Sequence, residues 1–195
     1  MPSSAAILSV RAAIGCACLL MAAAGSPAAG QDGNAPADAA LRAFDARIAQ
    51  YAALRTKFEA PLPAFDDPRR DAWTLLIVRR YLASAMRTAR RQAEQGCIFG
   101  PAAEVFRETI ARAVDEIDME GLVDEGGGSL DFVLDLTLNE PVPAWALATV
   151  PAPLLEQLPP LPAAIEYRIA GGALILWDTH AEILIDALPG AFAAP

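Results

Sequence analysis

A chain of 195 residues is long enough for one domain with a core of its own plus an extension, and it needs no disulfide staples. Its 15 basic residues against 24 acidic ones give a net charge of −9, which argues against nucleic acid as a ligand. Of 3 cysteines, Cys16 and Cys18 fall in the N-terminal stretch read below as cleaved, and Cys97 with the 1 histidine, His180, leaves too few nitrogen and sulfur ligands for a zinc site within a single mature chain.

Arg11, the apolar run 12–25 and the small residues Ala28-Ala29-Gly30 read as a secretory signal peptide over residues 1–30, cleaved after Gly30. The run is too short for a membrane span, which needs ~20 consecutive apolar residues, and no later segment is long and apolar enough. Cys16 and Cys18 are preceded three positions earlier by Ala13 and Gly15, where a lipid-acceptor cysteine would have a branched apolar residue. The expected location of the mature chain is therefore the periplasm or the extracellular medium. Cleavage leaves Cys97 alone in a compartment that permits disulfides. It is then either a buried small hydrophobe or a thiol that pairs between chains. Cleavage also removes Arg11 and no acid, leaving 14 basic residues against 24 acidic ones, net −10. The charge is unevenly spread: residues 31–112 hold thirteen basic and ten acidic side chains, and from Ala113 onward Arg168 stands alone against fourteen acids.

Residues 31–37 read as a flexible leader. From Asp38, Leu41, Phe44, Ile48, Tyr51 and Phe58 recur at steps of three, four and seven, one stripe of an amphipathic helix that runs to about Glu59. Pro61-Leu62-Pro63 breaks it. Asp67-Pro68 has the form of a helix cap followed by the first helical residue, so a second helix is expected from there to about Gln95. At 100° per residue this helix gathers Leu75, Val78, Leu82, Ala85, Met86 and Ala89 on one side, with Arg69, Arg79, Arg80, Arg87, Arg90 and Arg91 roughly opposite. A third helix opens at Pro101, with Phe106, Ile110, Ala113 and Ile117 toward the core and Glu104, Glu108, Asp115 and Glu116 outward.

After the Gly126-Gly127-Gly128 joint, residues 130–138 alternate strictly and predict a half-buried strand. Seven prolines between Pro141 and Pro162 then punctuate a connection with room for one short helix near residues 154–158. A meander closes the chain. A two-residue turn at Gly171-Gly172 pairs Ile169 with Leu174 and Tyr167 with Leu176 on one face, and Ile183 and Ile185 reach that same face. The opposite face carries Glu166, Arg168, Ile175, Trp177, Leu184 and Asp186, too apolar a mixture to be left wholly to solvent. The expected fold class is α+β: an N-terminal helical hairpin plus a third helix (38–120), packed on a small, about four-stranded antiparallel sheet (129–190) that ends in the meander. Residues 38–190 form a single domain, followed by a tail at 191–195.

Nucleophilic catalysis would need a base beside Ser84, Ser129 or Cys97, and His180 is the one histidine, in a hairpin turn. The acids Asp115, Glu116, Asp118, Glu120, Asp124 and Glu125 fit neither an EF-hand nor a nonapeptide calcium pattern and read as a solvated helix end. Gly126-Gly127-Gly128-Ser129 precedes a strand and is followed by no lysine, so it is not a phosphate loop. No metal or cofactor is implied. The arginines of the second helix, Arg79, Arg80, Arg87, Arg90 and Arg91, form the candidate binding surface, since guanidinium groups in a row suit phosphates, carboxylates or polyanionic envelope polymers. The alternative readings are that Arg79, Arg80, Arg87 and Arg91 face Glu104, Glu108, Asp115 and Glu116 of the third helix within the fold, or that the arginines are a solvated face.

Phe44, Arg47-Ile48, Tyr51, Leu54-Arg55, Leu62-Pro63 and Gln95-Gly96-Cys97-Ile98-Phe99, then Phe106-Arg107, the LPPLP run 158–162, Glu166-Tyr167-Arg168, Asp178 and Asp186-Ala187-Leu188-Pro189, follow one another in an order and spacing that resembles a family of uncharacterised exported bacterial proteins. The resemblance covers most of the mature chain. It departs at Cys97, where such proteins carry an aspartate, and at Gly171-Gly172, where a Gly-Arg pair is more typical. It implies export and one globular unit, and supplies no catalytic residue. The function expected is that of an exported soluble protein without enzymatic activity, binding an envelope component or a protein partner. The competing expectation is a periplasmic hydrolase using convergent carboxylates or a Ser/His pair.

Overall fold

The computed structural model describes residues 35–114 and 136–192. Helix α1 (Ala35–Glu59) buries Phe44, Ile48 and Tyr51 at the expected spacing. It begins three residues before Asp38, because Pro36 is tolerated in a first turn, so residues 35–37 belong to the helix and not to a leader. Helix α2 (Ala72–Ala89) is shorter than the expected 67–95. Asp71 is the true cap: it accepts the Thr74 N–H at 2.9 Å and the Thr74 hydroxyl at 2.7 Å. These two bonds hold the Asp71 carboxyl below its ordinary value. Asp67 instead closes the preceding turn, accepting the Arg69 N–H at 3.0 Å. At the far end Arg90 stops the helix with its N–H on the Met86 carbonyl, and turns lead to Gly96 at φ +79°. Pro101 lies in a single 3₁₀ turn, Gly100–Ala102, that opens α3 (Ala103–Val114). Phe106, Ile110 and Ala113 are buried as expected, whereas Ile117 and the acidic run 115–125 lie outside the described residues.

The sheet has four antiparallel strands in the order β1 (Ala148–Thr149), β2 (Ile165–Ala170), β3 (Ala173–Asp178) and β4 (Ile183–Leu188), with a one-turn helix α4 (Ala152–Leu155) between the first two. The fold is α+β. Gly171 and Gly172 both have positive φ, as a two-residue hairpin turn requires, and Ile169 pairs with Leu174 and Tyr167 with Leu176. The fourth strand is not the expected one. Most of 130–138 lies outside the described residues, and 136–138 is not strand; the edge position beside β2 goes to Ala148–Thr149, cut short because Pro151 has no N–H to donate.

Two apolar layers result. Ile165, Tyr167, Ile169, Leu174, Leu176, Ile183 and Ile185 meet the helices, and the rings of Phe44, Phe99 and Phe106 stack within 5.8 Å of one another beneath them. On the other face Ala170, Ala173, Ile175, Leu184 and Ala187 are covered by Leu136, Leu138, Val142 and Leu147. This segment is the cover that the mixed face requires, and it also runs along β4, where the Asn139 N–H donates to the Leu184 carbonyl at 2.8 Å.

Asp186 departs from the expected alternation. A register shift near Leu176 and Trp177 places Leu176 opposite Asp186 and Trp177 opposite Leu184, so one extra residue sits in β4. The bulge moves Asp186 from the covered outer face to the helix side. There it is fully buried, and its carboxylate accepts the N–H groups of Gly96 at 2.6 Å, Ile98 at 2.7 Å and Phe99 at 2.9 Å, besides that of Ala187. Replacing Asp186 with Ala strands these donors in an apolar layer, and the expected loss is about 3 kcal/mol or more. Urea denaturation followed by circular dichroism measures it; a loss below about 1 kcal/mol would show that the turn is held by other contacts.

Candidate functional site

The α2 arginines do not act as one stripe. Val78, Leu82, Ala83 and Met86 face the core, and the arginines on the flanks of that face reach over it. Arg79 pairs with Glu182 in the β3–β4 loop, and Arg87 pairs with Glu140 at 2.7 Å. Arg90 reaches furthest inward, donating to Asn139 Oδ1 at 2.5 Å and to the Ile185 carbonyl at 3.0 Å, with its guanidinium 4.9 Å from the Tyr51 ring centre. The expected alternative of pairing with the third helix is corrected: the partners come from the sheet side, and Glu104 pairs instead with Arg107 of its own helix at 2.5 Å. Asp115 and Glu116 lie outside the described residues. Arg80 and Arg91 point outward, and neither has an acidic partner among the described residues.

Between those two arginines and the N-terminus of α2 lies a feature that the sequence reading missed. Trp73, Ile77 and Tyr81 are 68%, 51% and 58% exposed. Steps of four keep them on one side of the helix, about 12 Å from first to last at 1.5 Å per residue. The helical angle puts Arg80 and Ser84 on the same side, and the exposed Arg91 lies in the turn two residues past the end of the helix. No acid occurs from Ala72 to Ala93. The outward face of α2 is thus aromatic and apolar with Arg80 beside Tyr81, and Arg91 follows in the turn after the helix. The signal was present in the sequence as a second i, i+4, i+8 apolar spacing about 180° away from the core stripe.

The other polar constellation surrounds the C-terminal end of α1. Tyr51 donates to Asp178 Oδ2 at 2.6 Å inside the core. Asp178 Oδ1 accepts the N–H groups of His180 and Ala181, both at 2.9 Å, and so closes the β3–β4 loop. Arg55, buried, donates to Glu59 at 2.5 Å and to the Ala163 carbonyl at 3.1 Å. His180 Nδ1 lies 2.8 Å from Glu59 Oε1 and 3.2 Å from Arg55. A carboxylate only accepts and a guanidinium only donates, so the shorter contact assigns the Nδ1 proton to the bond with Glu59. Phe65 stacks on the imidazole with centroids 4.4 Å apart.

This is a loop clasp. His180 has Glu59, Arg55 and Phe65 as its side-chain neighbours; Ser84 sits exposed on α2, and Cys97 Sγ contacts Arg90 at 3.6 Å. Burial, aided by the Asp186 charge, pushes the half-buried Cys97 thiol above its ordinary value. Ser129 lies outside the described residues. Among the described residues no group of three His, Cys, Asp or Glu could hold a metal ion, and no helix is long and apolar enough to cross a membrane. A groove of about 720 Å³ runs past Leu155, Pro160 and Tyr167, where the charges of Glu166 and Arg168 already satisfy each other.

No protein-family model, no curated protein and no solved structure matches the chain. The residues themselves carry the functional argument.

The clasp makes stability depend on alkaline pH. Burial raises the Tyr51 phenol far above its usual range, and the Asp178 carboxylate adds to this; burial, with the Asp45 charge, does the same to Tyr167, whose hydroxyl donates to the Pro159 carbonyl at 3.0 Å. Above pH ~10 the unfolded chain releases both protons and the folded chain keeps them, so the stability the two tyrosines supply is present below that pH and falls above it by about 2.7 kcal/mol per pH unit, with the raised Cys97 thiol adding in the same direction. Urea denaturation across this range should show the slope, and Tyr51→Phe should lower it by about 1.4 kcal/mol per pH unit while costing about 1–3 kcal/mol at neutral pH. An unchanged slope in Tyr51→Phe would refute the assignment.

Proposed function

We propose that this chain is an exported, non-enzymatic binding protein of the cell envelope and that its contact surface is the outward face of α2. The observation that carries the reading is the alignment of Trp73, Ile77 and Tyr81, all more than half exposed, with Arg80 on a helix without acids, followed by the exposed Arg91 in the turn after it. Large apolar side chains clustered on a surface mark a contact site more often than scattered ones do, and aromatic residues with arginine are the types that dominate interface energetics. Arg90 supports the domain from within and Arg79 and Arg87 are paired with acids at its surface, so the contact surface is narrower than the five-arginine stripe. The signal-like sequence of residues 1–30, with cleavage after Gly30, supports delivery to the periplasm or the medium.

Two measurements test this. The mass of the chain recovered outside the cytoplasm should correspond to a start at Gln31; a full-length mass there would refute the cleavage. Purified protein should bind isolated envelope fractions, and Arg80→Glu with Arg91→Glu, or Trp73→Ser with Tyr81→Ser, should weaken that binding about tenfold or more, the loss expected when central aromatic or arginine contacts are removed. Because these side chains are exposed, urea midpoints should move by no more than about 0.5 kcal/mol. Equal binding by the variants would remove α2 as the contact surface.

A further inference from the structure

Resting on that reading of α2, we infer that the partner is an anionic phospholipid bilayer surface, on which the domain docks peripherally through α2. The helix supplies what the headgroup region selects. Trp and Tyr favour the membrane–water interface, where an apolar ring and a polar tip are both accommodated, and Ile77 between them would reach the acyl boundary, about 5–10 Å deep for an interfacial helix. Arg80, on the same side of a helix without acids, and the exposed Arg91, in the turn just past its end, meet lipid phosphates.

Charge complementarity separates this occupant from two others. A soluble polyanion would engage the arginines and leave Trp73, Ile77 and Tyr81 at 68%, 51% and 58% exposure with nothing to cover them. A second copy packed α2 against α2 would bring like charges together, since the helix has no acid to oppose them. A bilayer offers phosphate and apolar depth along one flat front, and the outward ridge of a helix can lie against it without a matching pocket. The pairs Arg79–Glu182 and Arg87–Glu140 flank this ridge and cancel two of the acids that would otherwise be repelled by an anionic surface. With a whole-chain charge of −9 the docking depends on orientation, the α2 side being the one attracted.

The test uses the mature chain with vesicles of phosphatidylcholine, with and without phosphatidylglycerol, in co-sedimentation, and brominated lipid as a quencher of tryptophan fluorescence. Binding is expected only with phosphatidylglycerol present and should weaken with added salt. Arg80→Ser with Arg91→Ser should lower partitioning about 30-fold, each arginine near an anionic surface contributing roughly fivefold. Trp73→Ser with Ile77→Ser and Tyr81→Ser should abolish it. Quenching by brominated lipid should be present in the parent and lost in Trp73→Phe, a variant that keeps Trp145 and Trp177. If the parent ignores both kinds of vesicle while the α2 variants still lose binding to envelope fractions, the bilayer inference falls, a protein or polymer partner takes its place, and the contact surface stands. Binding to vesicles that is indifferent to every α2 variant overturns the inference outright. Loss of neither vesicle nor envelope binding in the variants overturns the contact surface as well.

Discussion

The structure depends on one buried carboxylate. Asp186 lies between the sheet and the helices, where an ionised group is tolerated only if its lone pairs are filled, and the N–H groups of Gly96, Ile98 and Phe99 fill them. It reaches this position because β4 carries one extra residue. A bulge also disturbs the ladder around it, and Arg90 answers by donating to the Ile185 carbonyl beside it. The turn from Gly96 to Phe99 is thereby fixed against the sheet. That turn places Phe99 under Phe44 and Phe106 and sets where α2 ends and α3 begins. A Cβ at Gly100 would fall 2.0 Å from the Arg47 guanidinium, so a side chain there would displace Arg47 from the Cys97 carbonyl, to which it donates at 2.9 Å.

From Asp186 the polar contacts continue along α1. Arg90 covers the Tyr51 ring, Tyr51 donates to Asp178, and Asp178 fastens the loop that carries His180. Each buried charge in this series has at least one hydrogen-bonded partner from another element, which is what makes such a series specific instead of merely costly. It also gives four acids of the acidic second half a place in the fold. The acids of the second half include Asp178 and Asp186, sealed in the core, and Glu140 and Glu182, held by arginines of the first half. The two halves are joined by charge as well as by apolar packing.

Much of this frame is legible in the sequence, where the physics is periodic. The spacing of Phe44, Ile48 and Tyr51 reads directly as a buried stripe, and the alternation around Gly171-Gly172 reads as a hairpin whose register follows from its turn. The parity argument places Ile183 and Ile185 correctly, yet fails one residue later at Asp186, because neither glycine nor proline marks the bulge. The α2 cap is misread for a similar reason: Asp67-Pro68 and Asp71 with Thr74 are both good starts, and a chain-local rule favours the one with proline. A strand of two residues, Ala148–Thr149, has no period to read. The partners of Arg79, Arg87 and Arg90 are 49 to 103 positions away, and nothing local announces contacts at such separations. Trp73, Ile77 and Tyr81 escape notice because the opposite face of the helix already satisfies the pattern of a core.

What folding requires of α2 leaves its outward face unexplained. Val78, Leu82 and Met86 secure it to the core, Asp71 caps it, and Arg79, Arg87 and Arg90 tie it to the sheet. None of this needs Trp73, Ile77 or Tyr81. In an exposed helical position Trp, Ile and Tyr are poorer helix formers than Ala or Lys by a few tenths of a kcal/mol each, and side chains of this size left in water favour association. A stable domain would be served at least as well by lysine or glutamate at these three positions. The line of Trp73, Ile77 and Tyr81 therefore lowers local helix preference and solubility together, on a helix that has no acids, carries Arg80 on the same side and is followed by the exposed Arg91, and these opposing requirements are reconciled if the face is covered when the protein acts.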